Sequence, residues 1–561
     1  MFLVILILPA TGYFLAKNQN VQNYIVHQLS ERFSKKLDAR FEIKSAYYTL
    51  FNKLVLEDVY LEDQSGDSLI HSKRVTGHLR FLDLNERELY FRNLSMDSAT
   101  IYIRNDTAKN INIKFLIDAL RRKDTTKPKM HIKSNNIDIN NSRVTYHTNL
   151  PKKKGYGLDF NHLTLNEFNI KAENLNVDSG KIHVDFRNLS FKEESGMEVL
   201  GLESQVRLNK NKLRLHDLTL RTPYSYFQTD SVVLHHNHYK NFKNPVTDLR
   251  LAVNVGQSNI SFNDLAYFSK TFQGIPNQNF VISGDINGTV NNLKGDSVYL
   301  ATGRQSEVLT DFSLTGLPDI PRTFMYVDVN RLYTGIEDLG LINNLLGERG
   351  HIALPDNFRN MGRIEYRGNF TGFIDDFVAY GNFNTQLGQF STDLLIRPKQ
   401  TQGLALEGNL KTRDFNVGGM IEYEEHFGNM SMDIQVQGSI YPEEGFQAQT
   451  IGEIKKLEVN RYNYKNIQIN GFMTDKMYDG ALSISDPNVK FDFQGGIDFT
   501  SDVPVFDFSA HLEKAKLNKL NLVEKDTSAR LSFQLTSNFR GDNLDNASGI
   551  IAMQQGELIR H

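Results

Sequence analysis

The sequence predicts a mostly β protein, elongated and repeating, with few and short helices. Three observations predict it. An eight-residue strand pattern recurs along the chain, no Pro/Gly/Ser-rich linker divides its 561 residues after residue 130, and no catalytic motif is present.

The pattern reads apolar, any, apolar, any, then Asp, Asn or Glu, then apolar, any, apolar. Six copies stand in the sequence. They run through Leu54, Leu56, Asp58, Val59 and Leu61; Leu89, Phe91, Asn93, Leu94 and Met96; and Leu163, Leu165, Glu167, Phe168 and Ile170. The others are Val184, Phe186, Asn188, Leu189 and Phe191; Leu213, Leu215, Asp217, Leu218 and Leu220; and Tyr462, Tyr464, Asn466, Ile467 and Ile469. Alternation of period two gives a strand one apolar face. The parity slips by one at the acidic or amide residue, so a straight strand would throw its second apolar pair onto the wrong side. A bulge or tight bend there keeps both pairs together, and Asx residues tolerate that geometry. The expected lining of one apolar face is therefore Leu54, Leu56, Val59, Leu61, Leu89, Phe91, Leu163, Leu165, Val184, Phe186, Leu213, Leu215, Leu218, Leu220, Tyr462, Tyr464, Ile467 and Ile469.

Composition is that of a folded chain: 40% hydrophobic, 23% charged, net charge −3. This balance gives no support for a nucleic-acid partner, and Lys152, Lys153 and Lys154 read as solvated loop charges. Zero cysteines exclude disulfides, thiolate metal sites and cysteine nucleophiles.

Residues 1–17 are almost wholly apolar, with Phe2, Leu3, Val4, Ile5, Leu6, Ile7 and Leu8 at their head. The run is short for a spanning helix of about 20 residues, and no cleavage site stands out. It is read as an uncleaved membrane anchor, ahead of a cleaved signal or a core helix. Over 18–40, Val21, Ile25, Leu29, Phe33 and Leu37 recur every four residues and predict an amphipathic helix that caps the first strands. A β unit over 41–125 begins at Phe41 and Ile43, turns at Asp63–Ser68, and closes with a short helix through Ile113, Leu116, Ile117 and Leu120. A soft boundary falls at Thr125–Lys129. From 130 to 561 short strands alternate with polar turns. Two helices interrupt them, one carrying Leu265, Phe268 and Phe272, the other Ile336, Leu339, Ile342, Leu345 and Leu346. Gly284, Gly288, Gly368 and Gly372 mark bends or close backbone approach.

There is no H-E-x-x-H, G-x-S-x-G, phosphate loop or dinucleotide fingerprint. His235, His236 and His238 form the one histidine cluster and read as a solvated turn, since no nearby carboxylate completes a metal shell. The adjacent Asp375 and Asp376 suit a turn better than paired acid–base work. No cofactor, metal or catalytic residue is expected.

The order of anchor, amphipathic helix and FEIKSAYYTLFNKLVLEDVYLEDQSGDSLI resembles the start of the AsmA-like family, in particular its Bacteroidetes-type translocation and assembly module (TamB) branch. Segments 112–120, 314–342, 361–396 and 461–499 are similar as well, and what counts is their order behind the anchor. The resemblance implies a long sheet folded lengthwise into a U-shaped trough with an apolar lining, standing in the periplasm on an inner-membrane helix. It implies phospholipid transport between the inner and outer membranes, assembly of outer-membrane proteins with an Omp85-type barrel partner, or both. Family members continue into a C-terminal domain, so the groove is expected to be truncated before it.

A lipid groove is also physically sensible. A sixteen-carbon acyl chain in water costs about 12 kcal/mol at about 0.8 kcal/mol per CH₂. At about 12 residues per strand and turn and about 4.8 Å per strand, residues 130–561 predict about 36 strands and an upper length of about 170 Å. The alternatives are a structural β-solenoid or adhesin-like envelope protein with a closed core, an outer-membrane barrel, and an enzyme.

Overall fold

The computed structural model describes residues 19–49, 53–83, 88–105, 111–116, 131–153, 155–178, 181–235, 245–275, 278–338, 341, 354–399, 403–443, 445–523, 528–542 and 546–560. The chain is mostly β and divides into two compact units, Met1–Leu293 and Lys294–His561. The apolar run at Phe2–Leu8 lies outside the described residues. Among the described residues no helix is long and apolar enough to cross a membrane, which says nothing of strands.

The first unit opens with helix α1 (Gln19–Leu37). Its strands follow as β1 (Phe41–Thr49), β2 (Lys53–Glu62), β3 (Ser68–Asp83), β4 (Glu88–Asn105), β5 (His131–Thr148) and β6 (His162–Asp178). Then come β7 (Lys181–Glu193), β8 (Glu198–Leu208), β9 (Lys212–Arg221), β10 (Tyr226–His235), β11 (Arg250–Ser261) and β12 (Asn279–Thr289). Each strand pairs with the next, antiparallel throughout except for the parallel pair of β4 and β5. A parallel pair needs a long crossover, and residues 106–130 supply it. The polar stretch at 125–129 lies outside the described residues.

The second unit opens within β13 (Asn292–Thr302) and continues through β14 (Ser306–Thr315), β15 (Phe324–Thr334), β16 (Ile364–Phe373), β17 (Asp376–Thr385), β18 (Gly388–Lys399), β19 (Gly403–Arg413) and the two-residue β20 (Phe415–Asn416). It ends with β21 (Phe427–Tyr441), β22 (Gly445–Val459), β23 (Tyr462–Thr474), β24 (Met477–Ser485), β25 (Val489–Asp498), β26 (Val505–Lys516), β27 (Arg530–Arg540) and β28 (Ser548–Ile559). From β14 onward neighbours pair antiparallel in chain order, with β20 beside β21 and β21 also on β19.

The parity slip has a backbone cause. Asp58, Glu167, Asp217 and Asn466 stand at φ of 49°, 48°, 50° and 53°. This left-handed conformation is uncommon outside glycine and favours Asx. In the copies at Asn93 and Asn188 the ladder shifts register instead, between Leu79 and its neighbours and between Phe186 and Leu189. Ser98 (φ 51°) in β4 and Asn141 (φ 43°) in β5 bend their strands without belonging to a copy. The strands therefore run through their bends. Among the described residues of 131–559 there are twenty-four of them, β5 to β28, where about 36 shorter ones are expected from typical spacing.

The first interrupting helix is smaller than the periodicity predicts. It is a single turn, Phe262–Leu265, followed by a 3₁₀ turn, Lys270–Gly274. The Phe262 ring holds the segment folded back, 5.7 Å from Phe272 and 5.2 Å from Phe280. Of the second, the 3₁₀ turn Ile336–Asp338 and a helical Leu341 are described; Leu339, Ile342, Leu345 and Leu346 lie outside the described residues.

Among the described residues, the clusters of buried apolar side chains are small and sit near strand ends. Leu61, Leu69 and Phe115 pack with Leu37 and Phe41, so α1 and the crossover close one end of β1 to β3. The Ser34 hydroxyl joins this end by accepting from Phe41 N–H at 2.9 Å. Val489, Leu512, Ala515 and Leu520 pack with Tyr462, Tyr464 and Phe533, and Leu404 packs with Leu354, Ile374 and Ile396.

Buried carboxylates tie the turns. Asp63, 3% exposed, accepts from the Ser65 and Asp67 N–H groups, from Arg104 Nη2 at 2.7 Å and from Asn112 Nδ2 at 3.2 Å. Burial alone pushes the Asp63 carboxyl up; the hydrogen bonds from Asp67, Arg104, Asn112 and Ser65 outweigh it and hold it below its usual value.

Two predictions follow from the backbone and from this tie. At Glu167, whose side chain makes an exposed ion pair with Lys192 at 3.2 Å, glycine relieves the left-handed conformation and valine opposes it. Glu167→Val should lower stability by about 1–2 kcal/mol relative to Glu167→Gly, read from urea midpoints; equal midpoints would show an unconstrained bend. Asp63 stabilises the fold while ionised, so its contribution is present above the unfolded carboxyl pKa of about 3.9 and fades as pH falls through its lower folded value. The midpoint gap between wild type and Asp63→Asn should be widest near neutrality and close in acid. A gap constant with pH would refute the charged tie.

Candidate functional site

Register traces which side chains share a face. Across the first unit one row runs Ala46, Leu56, Val75, Met96, Ile139, Ile170, Leu189, Leu202, Leu220, Phe227, each opposite the next on β1 to β10. All ten are apolar. Five copies of the pattern each give one residue to this row, at Leu56, Met96, Ile170, Leu189 and Leu220. At about 4.8 Å per strand the row crosses about 43 Å.

Parallel rows flank it. Leu54 continues through Gly77, Leu94, Ile137, Ala172 and Phe186. Phe41, Leu61, Ile70, Ile101, Val144 and Leu165 align in turn, as do Ile103, Tyr146 and Leu163. Val184, Val206, Leu215, Val232, Val253 and Ile286 form a row toward β12. Leu89 stands in register with Ile132, Val177, Ile182, Leu208, Leu213, Leu234 and Leu251. Val59 lies between Ile43 and Ser72, Phe91 between Leu79 and Ser134, and Leu218 opposite Thr229. The bends therefore bring the residues of the first five copies onto one face.

The alternate rows are polar. One reads Thr76, Ser95, Asp138, Lys171, Asn188. Another reads Gln205, His216, Ser231, Asn254, Asp285. Val55 departs from the pattern: it aligns with Thr76, yet it is 4% exposed.

The second unit repeats the division. One row reads Thr310, Val329, Gly368, Gly381, Thr392, Leu410, Ile434 and continues as Gly452, Ile469, Leu482, Phe493, Ala510, Leu535, Met553. It crosses about 62 Å at about 4.8 Å per strand. The row on the other face reads Gln468, Ser483, Asp492, His511, Gln534, Gln554. Glycines let neighbouring backbones approach: a Cβ on Gly368 would stand 2.0 Å from the Tyr380 carbonyl oxygen. The wholly buried Tyr366 ring covers that gap, its hydroxyl donating to the carbonyls of Tyr380 at 2.8 Å and Asn369 at 3.0 Å. Burial pushes its hydroxyl pKa up, with Asp328 adding to the effect.

Burial along the apolar rows is uneven. Leu56, Leu163, Leu165, Phe186, Leu213, Leu215, Leu220, Leu482 and Leu535 are half-buried. Val59, Val184, Leu218, Ile467 and Ile469 are buried. Tyr462 and Tyr464 belong to the strand-end cluster rather than to mid-face. Tyr462 donates to Asp486 at 2.5 Å, and burial followed by this bond pushes its hydroxyl up to about 12.

One depression of about 640 Å³ in the second unit is lined by members of both kinds of row, Ile469, Leu482, Phe493 and Leu535 beside Gln468, Asp492, His511 and Gln534. A second of about 640 Å³, in the first unit, is lined by Tyr60, His71, Tyr102, Arg104 and His147 among others. There Arg104 is already held by Asp63 and Asp67. Among the described residues no group of three or more His, Asp or Glu side chains is placed to hold a metal ion. Asp375 lies in the turn after β16, and Asp376 opens β17, where it accepts from Arg397 Nε at 3.1 Å. His235 ends β10, while His236 and His238 lie outside the described residues.

Sequence reasoning missed most of the rows' other members, such as Val75, Ile139, Leu202, Leu410 and Leu482. The strands of Val75, Leu202, Leu410 and Leu482 carry no copy of the pattern, and on β5 Asn141 stands at the bend but Ser142 replaces the apolar residue that should follow it. Comparison of the chain with protein-family models, with curated proteins and with solved structures returns no match, so none of them places it in the AsmA-like family.

Proposed function

We propose that the apolar rows are a surface for phospholipid acyl chains and that the protein carries lipid along them. The observation that carries this reading is the unbroken apolar row from Ala46 to Phe227, with half-buried members such as Leu56 and Leu220, backed by polar rows. Half-buried aliphatic side chains in a long line suit a flexible hydrocarbon, whereas a catalytic site would need convergent polar groups. On this reading the segment at Phe2–Leu8 holds the chain in the inner membrane, the bulk is periplasmic, and an Omp85-type barrel is the partner at the outer membrane. Help in outer-membrane protein assembly would use the same face, since apolar grooves and strand edges also receive unfolded strands.

One observation favours the structural alternative, a β-solenoid with a closed core. Ala379, Leu394, Ile469 and Phe493 on the same face are each less than a tenth exposed.

Photo-crosslinking separates the two. A benzoyl-phenylalanine at Leu215 or Leu482 should yield phospholipid adducts by mass spectrometry in living cells, and one at Lys171 or Gln468, on the polar rows, should not. Leu56→Arg should fold and abolish the adduct at position 215. Absence of adducts at both apolar positions, or equal adducts on both faces, overturns the lipid reading. An unfolded Leu56→Arg chain without adducts at either position favours the closed core.

A further inference from the structure

One end of the first unit carries aromatic side chains that the apolar rows do not use. Three segments meet there: the connection 149–161 between β5 and β6, the turn between β9 and β10, and the residues after β11. A connection as long as 149–161 is uncommon in a compact fold and is commonly functional.

The connection is pinned. Leu158 N–H donates to the Tyr267 carbonyl at 2.9 Å. A Cβ on Gly157 would stand 2.8 Å from that same oxygen. Tyr156 stacks on Tyr267 with ring centres 5.4 Å apart, and Phe160 lies 6.3 Å from Phe268. The turn after β9 joins through Thr222, whose hydroxyl donates to Asp264 at 2.6 Å. Despite this order the outer surfaces are bare: Leu150, Tyr156, Phe160, Tyr224 and Phe268 are 49%, 48%, 56%, 54% and 46% exposed.

The charges at this end are sorted. Asp264 is buried under the Thr222 and Ser225 hydroxyls. Glu193 is buried, accepting from Thr164 N–H at 3.2 Å and Ser195 N–H at 2.6 Å. Asp159 accepts from Lys153 N–H at 2.7 Å and Asn161 N–H at 3.0 Å. Lys152, Lys153 and Lys270 are exposed. Glu194 is an exposed acid beside them, 3.3 Å from Lys152.

We infer that this end of the first unit docks on an anionic lipid surface, its exposed rings entering the headgroup region and its lysines meeting the lipid charge. The shape favours a membrane over a protein. These rings project from three separate turns, whereas protein hot spots fill well-packed, desolvated pockets. Aromatic rings with a wet edge suit the bilayer interface. Each nearby lysine adds attraction within a Debye length. The inference is independent of the lipid-carrying reading: a chain with an empty apolar face could still dock here.

The chain has no cysteine, so a single introduced one reports locally. An environment-sensitive fluorophore at Phe160→Cys or Phe268→Cys, in the full chain, should shift to the blue with vesicles of phosphatidylcholine and phosphatidylglycerol. It should then be quenched by lipids spin-labelled near the headgroup. A fluorophore at Lys171→Cys should not respond. Adding Lys152→Glu and Lys153→Glu should raise the lipid needed for half the signal roughly tenfold. Silence at both aromatic positions, or equal responses at 160 and 171, overturns the proposal. A response that follows protein concentration without lipid overturns it too, in favour of contact between copies.

Discussion

Much of this protein depends on one constraint: a strand must bend without losing its apolar face. A side chain points to alternate sides at successive residues, so a bend that consumes one residue would put half of the strand's leucines into water. The left-handed residues at Asp58, Glu167, Asp217 and Asn466 absorb that residue. Asx side chains lower the cost because they are short and polar. Glu167 shows that the geometry can be met by a less suitable residue when the paired strands on both sides hold it.

Because neighbouring strands bend near a common level, the constraint is shared. Ser98 and Asn141 lie next to the level of Asp58 and Glu167 in the ladder. A strand that failed to bend there would lose its pairing with two neighbours. The same sharing explains the glycine row at Gly368 and Gly381, where close backbones leave a gap and Tyr366 covers it. Apolar burial in each unit is therefore spread along rows, while the densely buried clusters lie near strand ends.

Those ends are secured by charge as well as by packing. Asp63, Glu193 and Asp486 each sit buried at or beside a turn and accept backbone N–H groups. A buried carboxylate without such donors would be costly, so each turn has little freedom to change its length. Fixed turns hold the register of the strands they join, and the rows require that register.

The pattern of period two, the marker at the bend and the zero cysteine count were legible in the sequence because they are local properties of residue type. They specified β structure, one apolar face and the positions of its bends at six places. The helical character of α1 was legible too, since a four-residue stripe repeats before Phe41. Strand length was not: β4, β5 and β6 run 18, 18 and 17 residues, because a bend that keeps its ladder does not end the strand. Nor was the parallel pairing of β4 with β5, which depends on where a crossover lands. Which apolar residues stand half-open and which close into strand-end clusters was likewise decided by the tertiary structure. Leu215 and Tyr464 occupy equivalent apolar positions in their copies, yet the first is mid-face and the second packs against the strand-end cluster of Val489, Leu512, Ala515 and Leu520. That difference is set by what the rest of the chain lays over them.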